Sequence, residues 1–419
     1  MKYILAGSLL MVGLFLFWPR EAGAVSQFSR EYGEPCSTCH SIFPRLNYYG
    51  ERFLRNGYQN PDEAEGDGDT VGMKALGEGG RLTLGKVENW LGARLNITPL
   101  RIQTNSLDIE SNDSKETKLT IGNPNWLQLF VAGSLFKNVS IFIENEFLKD
   151  GFEFNWYYLG FHNLVGNYVN FQVGNVSPLI FSSFPNRLPL FPALKDEAMR
   201  LKASDGAGED SLDVSSARPG INYYGEKGPA VWWAGISPGS SGADVNNFLN
   251  YWVGARLEVP EALESRLEGS SVSLHYAWGT DTKDTATAQE RNDYWRLVPS
   301  VNVRYGENVD VQGTYIYGKD DNVTLATTSS AATEGKFQGW TLLGAYVKYP
   351  WVPGIEWDRT TPTDNFKGTE ALNRVTPNLT YQIRENMRLT FYAKLDVLGD
   401  STSHPEKQHD FELNLRAMF

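Results

Sequence analysis

Cys36, Cys39 and His40 stand in the arrangement Cys-x-x-Cys-His, which suits one kind of chemistry. In this motif two thiols form thioethers to the edge of a c-type haem, and the adjacent imidazole gives an axial nitrogen to the iron. No disulfide framework competes, because these are the only two cysteines in 419 residues. A zinc site needs further ligands nearby, and the next histidine is His162. The motif therefore predicts one covalently attached haem c, with His40 as its proximal and catalytically essential ligand.

The residues after the motif are predicted to form a small helical segment that covers the porphyrin. A helix is expected over residues 43–54, and the Asn-Gly-Tyr sequence at 56–58 is expected to end it. Residues 62–69 then carry five carboxylates among glycines, which favours a solvated linker over a calcium loop. The residues predicted to contact the haem are Phe43, Pro44, Leu46, Phe53 and either Tyr48 or Tyr49.

The second axial ligand of the predicted haem has several candidates. Met73 is the only methionine between the motif and the residues beyond 80, and a thioether ligand would raise the reduction potential. His162 and His275 are the histidine candidates, because both fall on the inward phase of alternating segments. A vacant or water-ligated position is the remaining alternative.

The N-terminus and the charge balance indicate an exported protein. Residues 1–24 are predicted to be a secretory signal, with Lys2, an apolar run over 4–18 and a small-residue cleavage site at 22–24. Export agrees with the haem motif, since c-type attachment takes place outside the bacterial cytoplasm. The formal net charge of −12 argues against a nucleic-acid partner and favours cations or basic partners.

Beyond residue 80 the hydrophobic pattern has a period of two. Apolar residues at odd positions from 249 to 259 alternate with positions that include Asn250, Arg256 and Glu258. The alternating segments run for about ten residues or more, longer than the five or six of an average soluble strand and long enough for a tilted strand to cross a membrane. Residues 411–419 also alternate and end on Phe419, as terminal strands of bacterial outer-membrane barrels do.

These segments predict an all-β domain over residues 81–419, an antiparallel transmembrane β-barrel of about sixteen strands, preceded by a small α-helical monohaem segment over 25–80. Short and long connections alternate, which places the short turns and both chain ends in the periplasm. The tight turn at 149–151 is expected outside. The connection 178–216 is expected either to fold into the lumen or to lie on the surface. A periplasmic all-β protein is the alternative fold.

The same alternation predicts which charged residues face the lumen, and both signs occur among them. A field of this kind could guide a divalent cation, but its sign is mixed. The predicted inward carboxylates are Glu144, Glu146, Glu258, Asp310, Asp396, Asp410 and Glu412. The predicted inward arginines are Arg256, Arg296, Arg304, Arg388 and Arg416.

The haem segment resembles the cytochrome portion of a known family, the fused monohaem cytochrome–porins in the outer membrane of iron-oxidising bacteria. The order of signal, single haem motif and barrel agrees with the same family. The resemblance implies oxidation of extracellular ferrous iron, with the electron passed to a periplasmic carrier, an Fe(II):cytochrome c oxidoreductase in contact with outer-membrane lipid. The matching residues are Cys36, Cys39, His40, Phe43, Pro44, Leu46, Asn47, Gly50, Phe53, Asn56, Gly57 and Tyr58.

The residues alone lead to a similar hypothesis. The apolar band of an outer-membrane barrel is about 25 Å tall, more than one porphyrin can bridge. A small donor must therefore reach the haem inside or under the lumen, and ferrous iron suits a one-electron transfer that needs no acid–base groups. Two alternatives remain open: electron transfer outward to an external acceptor, and a solute porin in which the haem segment is a structural plug.

Overall fold

The computed structural model describes most of the chain. The predicted signal, the acidic linker and Met73 lie outside the described residues. The described residues are 27–61, 90–107, 114–148, 151–190, 214, 216–239, 248–263, 265–284, 289–322, 334–362, 372–397 and 407–419.

Residues 27–61, here called the N-terminal segment, contain two short helices and a small hairpin. They comprise α1 (Gln27–Tyr32), a 3-10 turn (Cys36–Thr38), β1 (His40–Ile42), β2 (Arg45–Leu46) and α2 (Tyr48–Arg55). In the part of the chain that the structure describes, no helix is long and apolar enough to cross a membrane.

The start of α2 corrects the prediction of a helix over 43–54. Asn47 is in an extended conformation and its side chain accepts a hydrogen bond from the backbone N–H of Gly50, so it acts as the N-cap. The residues before it form the β1–β2 hairpin instead. The predicted end of the helix is confirmed. Helix α2 stops at Arg55, Asn56 is its C-cap, and Gly57 and Tyr58 after it have positive φ angles of 69° and 63°.

Sixteen strands close into one antiparallel barrel, which confirms the predicted fold class. The last strand pairs with the first to complete the ring. One further short strand, β7 (Leu164–Asn167), lies outside the ring where a simple turn was predicted. The barrel strands are β3 (Leu91–Leu107), β4 (Ser114–Phe136), β5 (Val139–Leu148), β6 (Gly151–Phe161), β8 (Asn170–Val176), β9 (Arg218–Lys227), β10 (Ala230–Ser237), β11 (Asn250–Glu258), β12 (Ser271–Asp284), β13 (Gln289–Tyr305), β14 (Val309–Asp320), β15 (Gly335–Tyr346), β16 (Trp351–Pro362), β17 (Leu372–Arg384), β18 (Met387–Asp396) and β19 (Lys407–Met418).

The outer surface of the barrel is apolar and the inner surface is polar. On β11, Val253 and Leu257 point outward and are 43% and 58% exposed. Arg256, which belongs to the other phase of the alternation, is 2% exposed. This order is the reverse of a soluble sandwich and is that of a barrel that crosses a lipid bilayer. The predicted inward arginines are all buried, as are most of the predicted inward carboxylates.

The connections differ between the two ends of the barrel. One end carries tight turns, such as 137–138, 228–229 and 385–386, and we call it the short-turn end. At the other end, the predicted loop over 98–124 is wrong. Strands β3 and β4 remain paired as far as Leu107 and Ser114. A polar sequence ends the membrane-spanning part of a strand, but two strands can stay hydrogen-bonded through their backbones beyond the lipid.

Two parts of the chain fill the lumen. The N-terminal segment lies inside the short-turn end, where Tyr58 stacks on Phe142 of the wall with ring centroids 6.2 Å apart. The described part of the long connection, residues 177–190, also lies inside, and we call it the inserted segment. Its Ser183 N–H donates to Ser273 Oγ at 2.9 Å, and Asn222 Nδ2 donates to the Ser177 carbonyl at 3.0 Å. Of the two placements predicted for this connection, the described part adopts the inward one.

Candidate functional site

The Cys-x-x-Cys-His motif forms a tight turn at the inner face of the N-terminal segment. The backbone N–H of Cys39 donates to the Cys36 carbonyl at 3.2 Å, which closes the 3-10 turn. Cys36 is buried and Cys39 is half-buried, and burial raises the pKa of the Cys39 thiol to about 12. The turn places both cysteines and His40 along one cavity.

Helix α2 is held directly against the motif by Asn47 and Gly50. The backbone N–H of Asn47 donates to the Cys39 carbonyl at 2.9 Å, and its side-chain amide donates to the carbonyls of Ser37 and Thr38 at 3.2 and 2.9 Å. A Cβ atom at Gly50 would lie 2.1 Å from the Cys39 carbonyl oxygen. Only glycine permits this approach of the helix to the backbone of the motif.

His40 is oriented in the way that metal-ligating histidines usually are, by a hydrogen bond at the ring nitrogen that does not face the metal. Its Nδ1 is 3.1 Å from the Pro44 carbonyl oxygen, and a ligating histidine commonly donates its second ring N–H to such a group. Burial lowers the pKa of His40 to about 4, so the imidazole is neutral near pH 7. The ring also contacts Phe43 edge to face, with centroids 5.3 Å apart.

The cavity beside the motif has a volume of about 520 Å³, within the usual range for ligand sites. Its lining combines the N-terminal segment with the inner wall of the barrel. Of the predicted haem contacts, Phe43, Leu46, Tyr49 and Phe53 line it, whereas Pro44 contributes through its carbonyl. The wall contributes Phe130, Phe142, Glu144, Trp156, Arg94 and Met418.

The histidines predicted as second axial ligands do not line this cavity. His162 is 1% exposed, and its two ring nitrogens lie 2.7 Å from Ser140 Oγ and 2.7 Å from Tyr224 OH. Nδ1 of His275 accepts a hydrogen bond from Trp233 at 3.2 Å, and its Nε2 is buried without a partner. The structure thus brings neither histidine together with His40.

Met418 is a cavity residue that the sequence analysis missed as a candidate ligand. It is the only residue along the described cavity lining, apart from the motif itself, with a sulfur atom. A signal was present, because Met418 shares the inward phase of β19 with Arg416. The predicted alternation places it inside, but not at the height of the haem motif.

A buried ionic cluster fixes the N-terminal segment to the barrel. Glu51 of α2 lies 3.1 Å from Arg45 and 2.7 Å from Arg304 of β13, and it also contacts Arg256 of β11. Burial alone would raise the pKa of Glu51, but the three guanidinium groups outweigh it and hold that pKa well below its usual range. Nη1 and Nη2 of Arg55 each donate a hydrogen bond to one carboxylate oxygen of Glu258, both at 3.0 Å.

Most charged groups along the described lumen are paired with one another. Arg101 contacts Asp410 at 2.6 Å, and Arg296 contacts Asp320 at 2.8 Å. Among the described residues, no three His, Cys, Asp or Glu side chains are grouped as a metal site. The predicted mixture of positive and negative side chains is therefore present, and many of these side chains form ion pairs on the inner wall.

Solved structures with the same architecture exist at low sequence identity. An anion-selective porin from Comamonas acidovorans superimposes with a TM-score of 0.52 at 12% identity, over 78% of this chain and 99% of that one. The fold is that of an outer-membrane porin. The outer membrane channel DcaP of Acinetobacter baumannii gives a TM-score of 0.51 at 12% identity, over 78% of this porin-like chain and 97% of its own. No family model and no curated protein matches the sequence.

Proposed function

We propose that this porin-like barrel is an outer-membrane c-type cytochrome that oxidises extracellular ferrous iron. Ferrous iron loses one electron and leaves as ferric iron, and a one-electron carrier in the periplasm is reduced. A haem c bound at Cys36 and Cys39 supplies the redox centre for this exchange. The observation that carries the proposal is that the haem-attachment motif lines an apolar cavity inside the barrel.

The residues around the cavity fit such a cofactor. Cys36 and Cys39 lie on one 3-10 turn along the cavity, and His40 is oriented through Nδ1 by the Pro44 carbonyl. Aromatic rings line the space from both parts of the protein, Phe43 and Phe53 from the N-terminal segment and Phe130, Phe142 and Trp156 from the wall. Burial of this kind is one of the means by which proteins adjust haem potentials.

The position of the cavity supports transfer across the outer membrane. The N-terminal segment occupies the short-turn end, which faces the periplasm in barrels of this type. A periplasmic carrier therefore meets the side of the protein that holds the motif. The donor enters from the end with longer connections, past the inserted segment and a wall of ion-paired carboxylates such as Asp320 and Asp410.

Anaerobic stopped-flow spectroscopy of the oxidised, detergent-solubilised protein tests the proposal. On mixing with ferrous iron we expect prompt and saturable reduction at the haem α-band. Dithionite gives the fully reduced reference for each preparation. A haem that dithionite reduces and ferrous iron does not would refute the oxidase and leave outward electron transfer as the better hypothesis.

A solute porin with the haem segment as a plug is the second candidate, because the fold resembles an anion-selective porin. It predicts single-channel conductance in planar bilayers and no effect on that conductance when His40 is replaced. The N-terminal segment and the inserted segment both lie in the lumen and line one small cavity between them, with Glu51 and Phe181 among the lining residues. We therefore expect low conductance for the intact protein.

Replacing Gly50 by alanine tests how α2 supports the motif. The new Cβ would meet the Cys39 carbonyl oxygen at 2.1 Å, so the helix or the motif must move. We expect several-fold less covalent haem per polypeptide, measured by haem absorbance against protein concentration. Gly151→Ala is the matched control, because a Cβ there meets nothing within 4 Å. Full haem content and an unchanged spectrum in Gly50→Ala would contradict this role.

A further inference from the structure

Three arginines occupy neighbouring positions on the wall beside the cavity. Arg388 of β18 is the cross-strand partner of Arg416 of β19. Arg94 of β3 pairs with Met418, two residues beyond Arg416. Because alternate residues of a strand share a face, the three side chains project from adjacent positions of the same inner surface. We call them the arginine cluster.

The cluster is buried, and one of its three members lines the cavity. Arg388 and Arg416 are 3% and 2% exposed. Arg94 is itself part of the cavity lining, as is its strand partner Met418. The cluster thus meets the cavity through Arg94, while Cys36 and Cys39 line the cavity from the N-terminal segment.

The described protein leaves most of this positive charge unbalanced. Glu144 is the one carboxylate at ion-pair distance, 3.7 Å from Arg94, among the residues the structure describes. Nε and Nη1 of Arg388 and Nε of Arg416 are buried with no hydrogen-bond partner. The guanidinium of Arg416 lies instead over the Trp126 ring, 4.7 Å from its centroid. Three guanidinium groups against one carboxylate leave an excess of two positive charges.

Such an arrangement is costly unless an anion completes it. Like charges directly opposite each other on neighbouring strands destabilise a sheet. A buried charge without a partner or hydrogen bonds costs several kcal/mol even after relaxation. A ligand with two carboxylates would neutralise the excess and supply acceptors in the planar geometry that guanidinium groups bind best.

We propose that the arginine cluster binds the two propionates of the haem, an inference that rests on the proposed function. Haem carries its two propionates on the edge opposite the vinyl groups that form thioethers. Cys36 and Cys39 line the cavity from the N-terminal segment and Arg94 lines it from the barrel wall, so Arg94 is the member of the cluster that a propionate would reach first. Two propionates match the excess of two positive charges in number.

The midpoint potential of the purified, haem-loaded protein tests this assignment. In Arg388→Gln a positive charge beside the propionates is lost, which favours the more positive oxidised haem, so we expect a lower potential. Arg388→Lys keeps the charge and should restore most of the shift. Arg296→Gln is the control: that arginine is equally buried, pairs with Asp320 and lies on β13, away from the strands β3, β18 and β19 that carry the cluster. We expect its potential to equal that of the wild type.

Two results would overturn the assignment. One is an unchanged potential in both Arg388→Gln and Arg416→Gln with haem attached. The other needs no mutation, and is a structure of the haem-loaded wild type with both propionates beyond hydrogen-bonding distance of the arginine cluster. A wild-type protein without haem would refute this inference and the proposed function together. A haem that does not react with ferrous iron would refute only the iron oxidase, because the potential is measured by chemical titration.

Discussion

Replacing Cys36 and Cys39 together by serine will give a barrel that carries no covalent haem. Both thioethers depend on these two sulfur atoms, and the sequence has no other cysteine that could take their place. The barrel wall does not depend on them, because its sixteen strands pair through the backbone. We expect haem staining to disappear after denaturing electrophoresis and the spectrum of purified protein to lose its haem bands.

Replacing His40 by alanine separates attachment from ligation. The cysteines remain, so covalent haem is expected, but the α-band and the potential should change because a proximal ligand is lost. Barrel assembly is checked in both variants by the heat-dependent mobility that folded outer-membrane barrels show on gels. Retention of covalent haem by the double serine variant would refute the attachment site itself.

Replacing Glu51 by glutamine will loosen the N-terminal segment within the lumen. The change leaves Arg45, Arg256 and Arg304 around a neutral group, all with side chains less than a tenth exposed. Removing one partner of a buried ionic cluster typically costs about 3–5 kcal/mol. Since each 1.4 kcal/mol is a factor of ten, amide hydrogen exchange across α2 should accelerate by about 10²-fold or more.

The matched control for this change is Glu261→Gln. Glu261 also pairs with an arginine of α2, Arg52, at 3.7 Å, but its side chain is 71% exposed. Exposed pairs contribute about 0–1 kcal/mol, so exchange across α2 should change little. Hydrogen exchange followed by mass spectrometry distinguishes the two variants. Equal exchange in Glu51→Gln and the wild type would show that the buried cluster does not hold the segment.

The hypothesis for the chemistry of the site comes from the sequence alone, because the five residues from Cys36 to His40 are consecutive. The barrel was also predictable, since the alternation of Val253, Arg256 and Leu257 encodes which side faces lipid and which faces the lumen. The start of α2 was missed although Asn47 is a common N-cap residue. The apolar residues Phe43 and Leu46 before it favour a longer helix, and only the pairing of β1 with β2 rules that helix out.

The wall of the cavity could not be predicted in the same way. Alternation places Phe130, Trp156 and Met418 inside, but not at the same height as the motif. That height depends on the register of each strand and on where the N-terminal segment docks. Docking in turn depends on contacts between distant residues, such as Gly57 against His162, where a Cβ would lie 2.4 Å from the imidazole.

The lining of the cavity has a consequence for biogenesis. Arg94 belongs to the first barrel strand and Met418 to the last, so the cavity spans the seam at which the barrel closes. Once that seam forms, the buried Cys36 is walled off from any enzyme large enough to join a porphyrin to it. If haem c is attached here as we propose, its attachment is expected to precede closure of the barrel, while the chain is still open in the periplasm. On the same proposal, pairing of the last strand with the first encloses a haem that is already attached.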